Sequence, residues 1–231
     1  MAASPEVKTA KDDITINQKI FEFIQKNRKT LFISLITLLV ILAGFIVIVT
    51  VRERTQANAL SAVDAFSRRH NELRAHIRDG DIIQQAEIML LLAELEEFQN
   101  RASGFAAARA FSISADIFME QENWTRAEEA WLNAARAAGR NYFAPISFFN
   151  AAVAAEELGN IQAAIEHYNR AVGFGDIFHS APRAQFSIGR LEEERNNRAA
   201  ALAAYRALLA RWPFDPVWSN LAQNRIIILA E

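Results

Sequence analysis

Residues 159–172 read Gly159-Asn-Ile-Gln-Ala-Ala-Ile-Glu-His-Tyr-Asn-Arg-Ala-Val172, and this stretch decides the fold. Gly159-Asn160 is a turn pair. Ala164, Tyr168 and Ala171 follow at spacings of four and three, which puts one ring between two small residues on a single helical face. A second helix can approach closely there while the ring fills the gap. The pattern occurs twice more. Glu122-Asn123-Trp124 leads into Ala127, Trp131 and Ala134, and Asn196-Asn197-Arg198 leads into Ala201, Tyr205 and Leu208. Ala127, Ala164 and Ala201 are each 37 residues apart, a period diagnostic of a helical repeat array.

These residues resemble the tetratricopeptide repeat (TPR), a pair of helices with small residues in the first and a small-aromatic-small set in the second. The resemblance covers about residues 105–213. It aligns the small position of the first helix with Ala115, Ala152 and Gly189, and the early large position with Phe111, Phe148 and Gln185. The closing proline position falls on Gly139, Asp176 and Pro213, so only the last repeat carries the proline. The resemblance implies an all-α, right-handed solenoid of helical hairpins.

Composition narrows the function classes. The 231 residues carry a net charge of −2, which gives no global case for nucleic-acid binding, and they contain no cysteine, hence no disulfide or thiolate chemistry. All five lysines precede residue 31, and every later basic residue is arginine.

Leu31 to Val51 contains no charged residue. As a helix rising about 1.5 Å per residue it matches the hydrocarbon core of a bilayer. We expect an uncleaved signal-anchor, because Arg52-Glu53-Arg54 follows at once without a small-residue cleavage site. Lys26, Arg28 and Lys29 before the span, against Arg52 and Arg54 after it, favour a cytoplasmic N-terminus by a narrow margin. In a bacterium the repeats would then face the periplasm from the inner membrane.

The remaining chain divides as follows. Residues 1–30 form a cytoplasmic tail. Asp12-Asp13 would cap a short helix through Asn27, with Ile16, Ile20, Phe23 and Ile24 on its apolar face. Residues 52–104 form a stalk and a degenerate hairpin. Val63, Phe66, His70, Leu73 and Ile77 give the stalk an apolar seam, read as packing against the array. After a turn at Asp79-Gly80-Asp81, Ile82, Ala86, Leu90 and Ala93 would line the packed face of the next helix. Trp212-Pro213-Phe214-Asp215-Pro216 stops the third repeat. Residues 214–231 end the chain, with Leu221, Arg225 and Ile228 on one side of a helix that either packs into the last repeat or offers an apolar patch.

No catalytic set, cofactor motif or metal-ligand spacing is present in the sequence. His167 reads as a surface residue, and Glu156-Glu157 and Glu192-Glu193-Glu194 read as solvated faces. In TPR proteins the first helices line a groove for partner proteins. Register transfer assigns to it Arg109, Ser112 and Asp116, then Ile146, Phe149, Asn150 and Val153, then Arg183, Phe186 and Arg190. Phe149 and Phe186 are expected either as exposed rings flanked by guanidinium groups or as rings covered by the 52–79 helix or the C-terminal helix. The family's clamp for a C-terminal carboxylate matches at Asn150 and Arg183. It fails at Ser112, Asp116 and Ser187, where an acid at 116 would repel the ligand.

The layout of tail, span and repeats is similar to the YfgM-like proteins that accompany the export translocon and periplasmic chaperones. It is also similar to the TPR proteins of the periplasmic flagellar motor collar in spirochaetes. Both imply a membrane-anchored adaptor without cofactors, and an envelope enzyme or peptidoglycan factor is the less supported alternative.

Overall fold

The structure, a computed structural model, describes residues 16–76 and 82–230. Nine α-helices account for nearly all of it, and no strand occurs among the described residues. They are α1 (Ile16–His76), α2 (Ile82–Arg101), α3 (Gly104–Glu120), α4 (Trp124–Ala138), α5 (Phe143–Glu157), α6 (Ile161–Val172), α7 (Ala181–Glu194), α8 (Arg198–Arg211) and α9 (Trp218–Ala230). The expected cap at Asp12-Asp13 and the turn at residues 79–81 lie outside the described residues. The chain divides into two compact units, residues 1–55 and 56–231.

In the first unit the expected short helix does not stop at Asn27: the chain stays helical as part of α1. No proline or glycine interrupts residues 16–43. The apolar side chains from Leu31 to Val51 are not buried in protein, and this helix is long and apolar enough to cross a membrane. The hydroxyls of Thr37 and Thr50 donate to the Ile33 and Ile46 carbonyls at 2.9 Å, so neither needs water.

In the second unit the turns show why the repeats form. The three second helices α4, α6 and α8 each begin after an asparagine cap. Asn123, Asn160 and Asn197 accept from the backbone N–H groups of Arg126, Ala163 and Ala200 at 3.2–3.3 Å. The residue before each cap takes the left-handed conformation, with φ of 55° at Glu122, 71° at Gly159 and 60° at Asn196. The cap N–H then bonds back across the turn, as from Asn160 to the Ala155 carbonyl at 2.9 Å, which closes the preceding helix in a Schellman arrangement.

The small-aromatic-small set is buried in every repeat. Ala127, Ala134, Ala164, Ala171 and Ala201 have no solvent exposure, and Trp131, Tyr168 and Tyr205 are buried between them. Ala115 and Ala152 are buried on the facing helices. Gly189 shows how tight the third contact is, because a Cβ there would lie 2.5 Å from the Tyr205 ring.

The described part of the stalk seam packs as expected, with Val63, His70 and Leu73 buried, while Ile77 lies outside the described residues. Val63 and Leu73 share a core with α2 and α3, and Phe66 meets Phe98 edge-on at 5.6 Å. The face of α2 is a correction. Ala86, Leu90 and Ala93 are exposed, and the buried stripe is Ile88, Leu91, Leu95 and Phe98. This stripe repeats at spacings of three, four and three with larger side chains, so it removes more apolar surface from water than the alanines would. The last helix does both things expected of it. Ala222 is buried and Trp218, Ile226 and Leu229 pack against α8, while Leu221, Ile227 and Ile228 stay exposed.

Candidate functional site

The first helices α3, α5 and α7 carry all the residues assigned to the groove, and the structure gives each a different environment. On α3 Arg109 is engaged by α1. Asp64 accepts from Arg109 at 2.6 Å. Glu120, one turn beyond Asp116, meets buried His70 at 3.2 Å and Arg74 at 2.9 Å. Burial pushes the Asp116 carboxyl up to about 6; His70 and Arg74 oppose the rise and Glu120 adds to it. Asp116 is nonetheless exposed to solvent. Ser112 is buried, its hydroxyl turned back to the Arg109 carbonyl at 2.8 Å.

On α5 the expectation of an exposed ring fails. Phe149 is buried, with its ring 5.2 Å from Tyr168 and 6.0 Å from Phe178. The cover comes from Phe178 in the loop before α7, not from the stalk or the C-terminal helix. Arg183 lies over the ring, its guanidinium 5.0 Å from the centroid. Ile146 and Val153 are half-buried against the same core, and Asn150 is half-buried beside them.

On α7 Phe186 is half-buried rather than free, stacked 5.2 Å from Tyr205 and 5.4 Å from Trp218. Here the C-terminal helix is the cover. Arg183 remains exposed. Arg190 closes on the Glu156 carboxylate, with Glu194 at 3.8 Å. Burial, the largest single influence, lowers the Arg190 pKa, but the hydrogen bond it donates to Glu156 and the charges of Glu156, Tyr168 and Glu194 together outweigh it and the net shift is upward.

Of the glutamates read as solvated faces, Glu157 and Glu194 are exposed, but Glu156 and Glu193 prove structural. Glu156 accepts the Tyr168 hydroxyl at 2.6 Å and also holds Arg190. One repeat on, Glu193 accepts the Tyr205 hydroxyl at 2.6 Å and also holds Arg225 of α9, whose Nε donates at 3.0 Å. Each carboxylate thus ties its own repeat's second helix to the first helix that follows. Burial and the adjacent carboxylate raise both tyrosine pKa values, so the phenols stay neutral donors. The Arg225 hydrogen bond, opposed by burial, holds the Glu193 carboxyl below the ordinary glutamate range. His167 is also corrected: it is buried, and its Nε2 meets Glu128 of α4 at 2.8 Å. The 37-residue offset between Glu156 and Glu193, matching that between Tyr168 and Tyr205, was the sequence signal for the clamp. No periodic signal marks Glu128 or Phe178.

Among the described residues no group of three or more His, Asp or Glu side chains is arranged to hold a metal ion. Among the described residues the arrangement offers mixed polar and apolar surface.

Three stacked hairpins with a shared small-aromatic-small register define a helical repeat protein. A family model described as tetratricopeptide repeat matches residues 114–177 and 178–216. A "TPR repeat-containing protein" of Treponema pallidum (strain Nichols) is 34% identical over 229 residues, covering 92% of this chain and 93% of the relative. The chain belongs to the TPR repeat-containing proteins.

Proposed function

We propose that this chain is a non-enzymatic adaptor, held in the bacterial cytoplasmic membrane by residues 31–51, whose repeats bind partner proteins on the extracytoplasmic side. The observation that carries the reading is one chain joining a helix long and apolar enough to cross a membrane to a TPR array. The relative matches over nearly the whole chain, which supports treating anchor and array as one protein.

The groove residues left accessible are Asp116 of α3 and several of α5 and α7. Arg183 is exposed, Asn150, Val153 and Phe186 are half-buried, and Arg190 keeps about half its side chain in solvent. Arg109 of α3 is already paired with Asp64 of α1 and would contribute at the margin. A peptide or helix with apolar anchors and some acidic residues suits this surface.

Crosslinking of the full chain in cells, followed by purification in mild detergent, tests the reading. Partners are expected to be lost from an Asn150→Ala/Arg183→Glu variant whose melting curve is unchanged. Retention of every partner would remove the groove from the proposal. A reporter active only outside the cytoplasm, joined after Glu231, is expected to be active; an inactive one would reverse the topology.

The finer role has two forms. Translocon or periplasmic chaperone subunits among the partners would place the chain with protein export, as in the YfgM-like layout. Flagellar motor proteins would place it in a motor collar, a reading favoured by the relative's origin in a spirochaete.

A further inference from the structure

A second surface lies away from the groove, at the edge of the array where α4 and α6 end. A cavity of about 720 Å³ opens there, floored by Phe148 and Phe174 and edged by Ile177. Three arginines ring it: Arg136 in the last turn of α4, Arg140 just beyond it, and Arg170 in the last turn of α6. All three are exposed, and among the described residues none has a carboxylate within ion-pair distance. Arg136 donates to Asn133 at 2.6 Å. Arg170 lies over the Phe148 ring, 3.9 Å from its centroid.

The ordinary role of arginine in a last turn is to satisfy helix carbonyls. Here other groups do that. The N–H groups of Gly139 and Asn141 take the Ala135 and Ala138 carbonyls, and those of Gly173 and Phe174 take the Asn169 and Ala171 carbonyls. The neighbouring clefts also differ. One repeat on, Arg211 donates to the Val172 carbonyl at 3.4 Å and lies 4.7 Å over the Trp212 ring, so that arginine is used within the chain. One repeat back, the cleft between α2 and α4 is lined by Glu96 and Glu129 as well as Arg126. Of these three clefts among the described residues, the α4–α6 cleft alone combines uncompensated positive charge with an aromatic floor.

We infer that this cleft docks an acidic segment of a partner protein, with carboxylates on Arg136, Arg140 and Arg170 and one apolar side chain on Phe148, Phe174 and Ile177. Planar guanidinium groups pair with carboxylates in two-point geometry, and a stacked arginine gives up little freedom on binding. The inference is independent of the groove on α5 and α7.

The test uses the full chain in non-ionic detergent and a fluorescein-labelled, glutamate-rich peptide with one central phenylalanine, read by anisotropy. The peptide is expected to bind, with affinity falling as salt rises. Arg136→Glu/Arg140→Glu is expected to weaken binding about tenfold or more. Arg198→Glu/Arg206→Glu makes the same charge change on exposed sites of α8 and is expected to leave binding intact. Ile177→Glu is expected to weaken it without altering the melting curve. Absence of peptide binding, equal loss in both double variants, or equal binding of a lysine-rich peptide would overturn the proposal. So would complete displacement by inorganic phosphate at the peptide's concentration, which would make the cleft a simple anion site. Arginine-dependent capture by phosphatidylglycerol vesicles, with no peptide binding, would assign it to a membrane surface instead.

Discussion

The first repeat and the two that follow share a backbone and differ in wiring. In α5–α6 and α7–α8 the buried ring is a tyrosine, and a glutamate twelve residues earlier takes its hydroxyl and an arginine from the next helix. In α3–α4 the ring is Trp131, the glutamate position is Met119, and the buried Trp131 Nε1 has no hydrogen-bond partner. The apolar contact therefore suffices to set the hairpin, since Ala127, Ala134 and Ala115 are as buried as their counterparts. The carboxylate clamp adds inter-repeat attachment to a unit that already folds. The first repeat obtains its attachment differently, through Asp64, His70 and Arg74 of α1.

The sharpest way to break the comparison is at the ring itself. Gly189→Val places a side chain where even a single Cβ would lie 2.5 Å from the Tyr205 ring. It is expected to cost about 3 kcal/mol or more and to melt α7–α9 before α3–α6, as read by hydrogen exchange. Alanine already occupies the equivalent sites at residues 115 and 152, so the effect should be confined to the third repeat.

Removing the clamp comes next. Glu156→Ala leaves a buried phenol without its acceptor and Arg190 with only the more distant Glu194, and is expected to cost about 2 kcal/mol in chemical denaturation. If the loss is negligible, the clamp does not attach α6 to α7 and the two kinds of repeat are energetically alike.

Acid should expose the same difference. The folded-state pKa of Glu193 is depressed, so its contribution is complete above the ordinary glutamate range. It is lost as pH falls below about 4.3 through the depressed value. Wild type is expected to lose melting temperature over that window more steeply than Glu193→Gln. Parallel curves would show that Arg225 does not set the carboxyl's affinity for protons.

The smallest effect concerns the turns. Glu122 holds a left-handed φ of 55° where the second repeat has Gly159. Glu122→Gly is expected to raise stability by under about 1 kcal/mol, since relief of the left-handed conformation is partly offset by the greater freedom of glycine when unfolded. A gain of the same size from Gly159→Glu would show that the turn imposes no such preference.

Much of the fold was legible because it repeats. A 37-residue period marks the asparagine caps, the left-handed turn residues and the buried alanines directly in the chain. What was not legible depends on contacts without period. Phe149 is covered by Phe178, which sits in an irregular loop, so register alone could not tell a groove ring from a core ring. His167 is buried because Glu128 of the preceding repeat reaches it, a pair 39 residues apart with no counterpart in the next repeat. On α2 the alanine pattern of the other second helices was followed, but a stripe of larger side chains one register away packed instead. The Glu156 and Glu193 clamp was periodic and still misread, because carboxylates on an alanine-rich helix are usually solvated.

Arg225 of α9 does for the third repeat what Arg190 of α7 does for the second. The end of the array therefore presents the same socket as its interior. A 37-residue cassette spanning α7 and α8 could be duplicated or removed, and the remaining glutamate would still meet an arginine. Array length is in that sense a free variable of this design: the connector stays constant while the surface available to partners grows or shrinks by whole units.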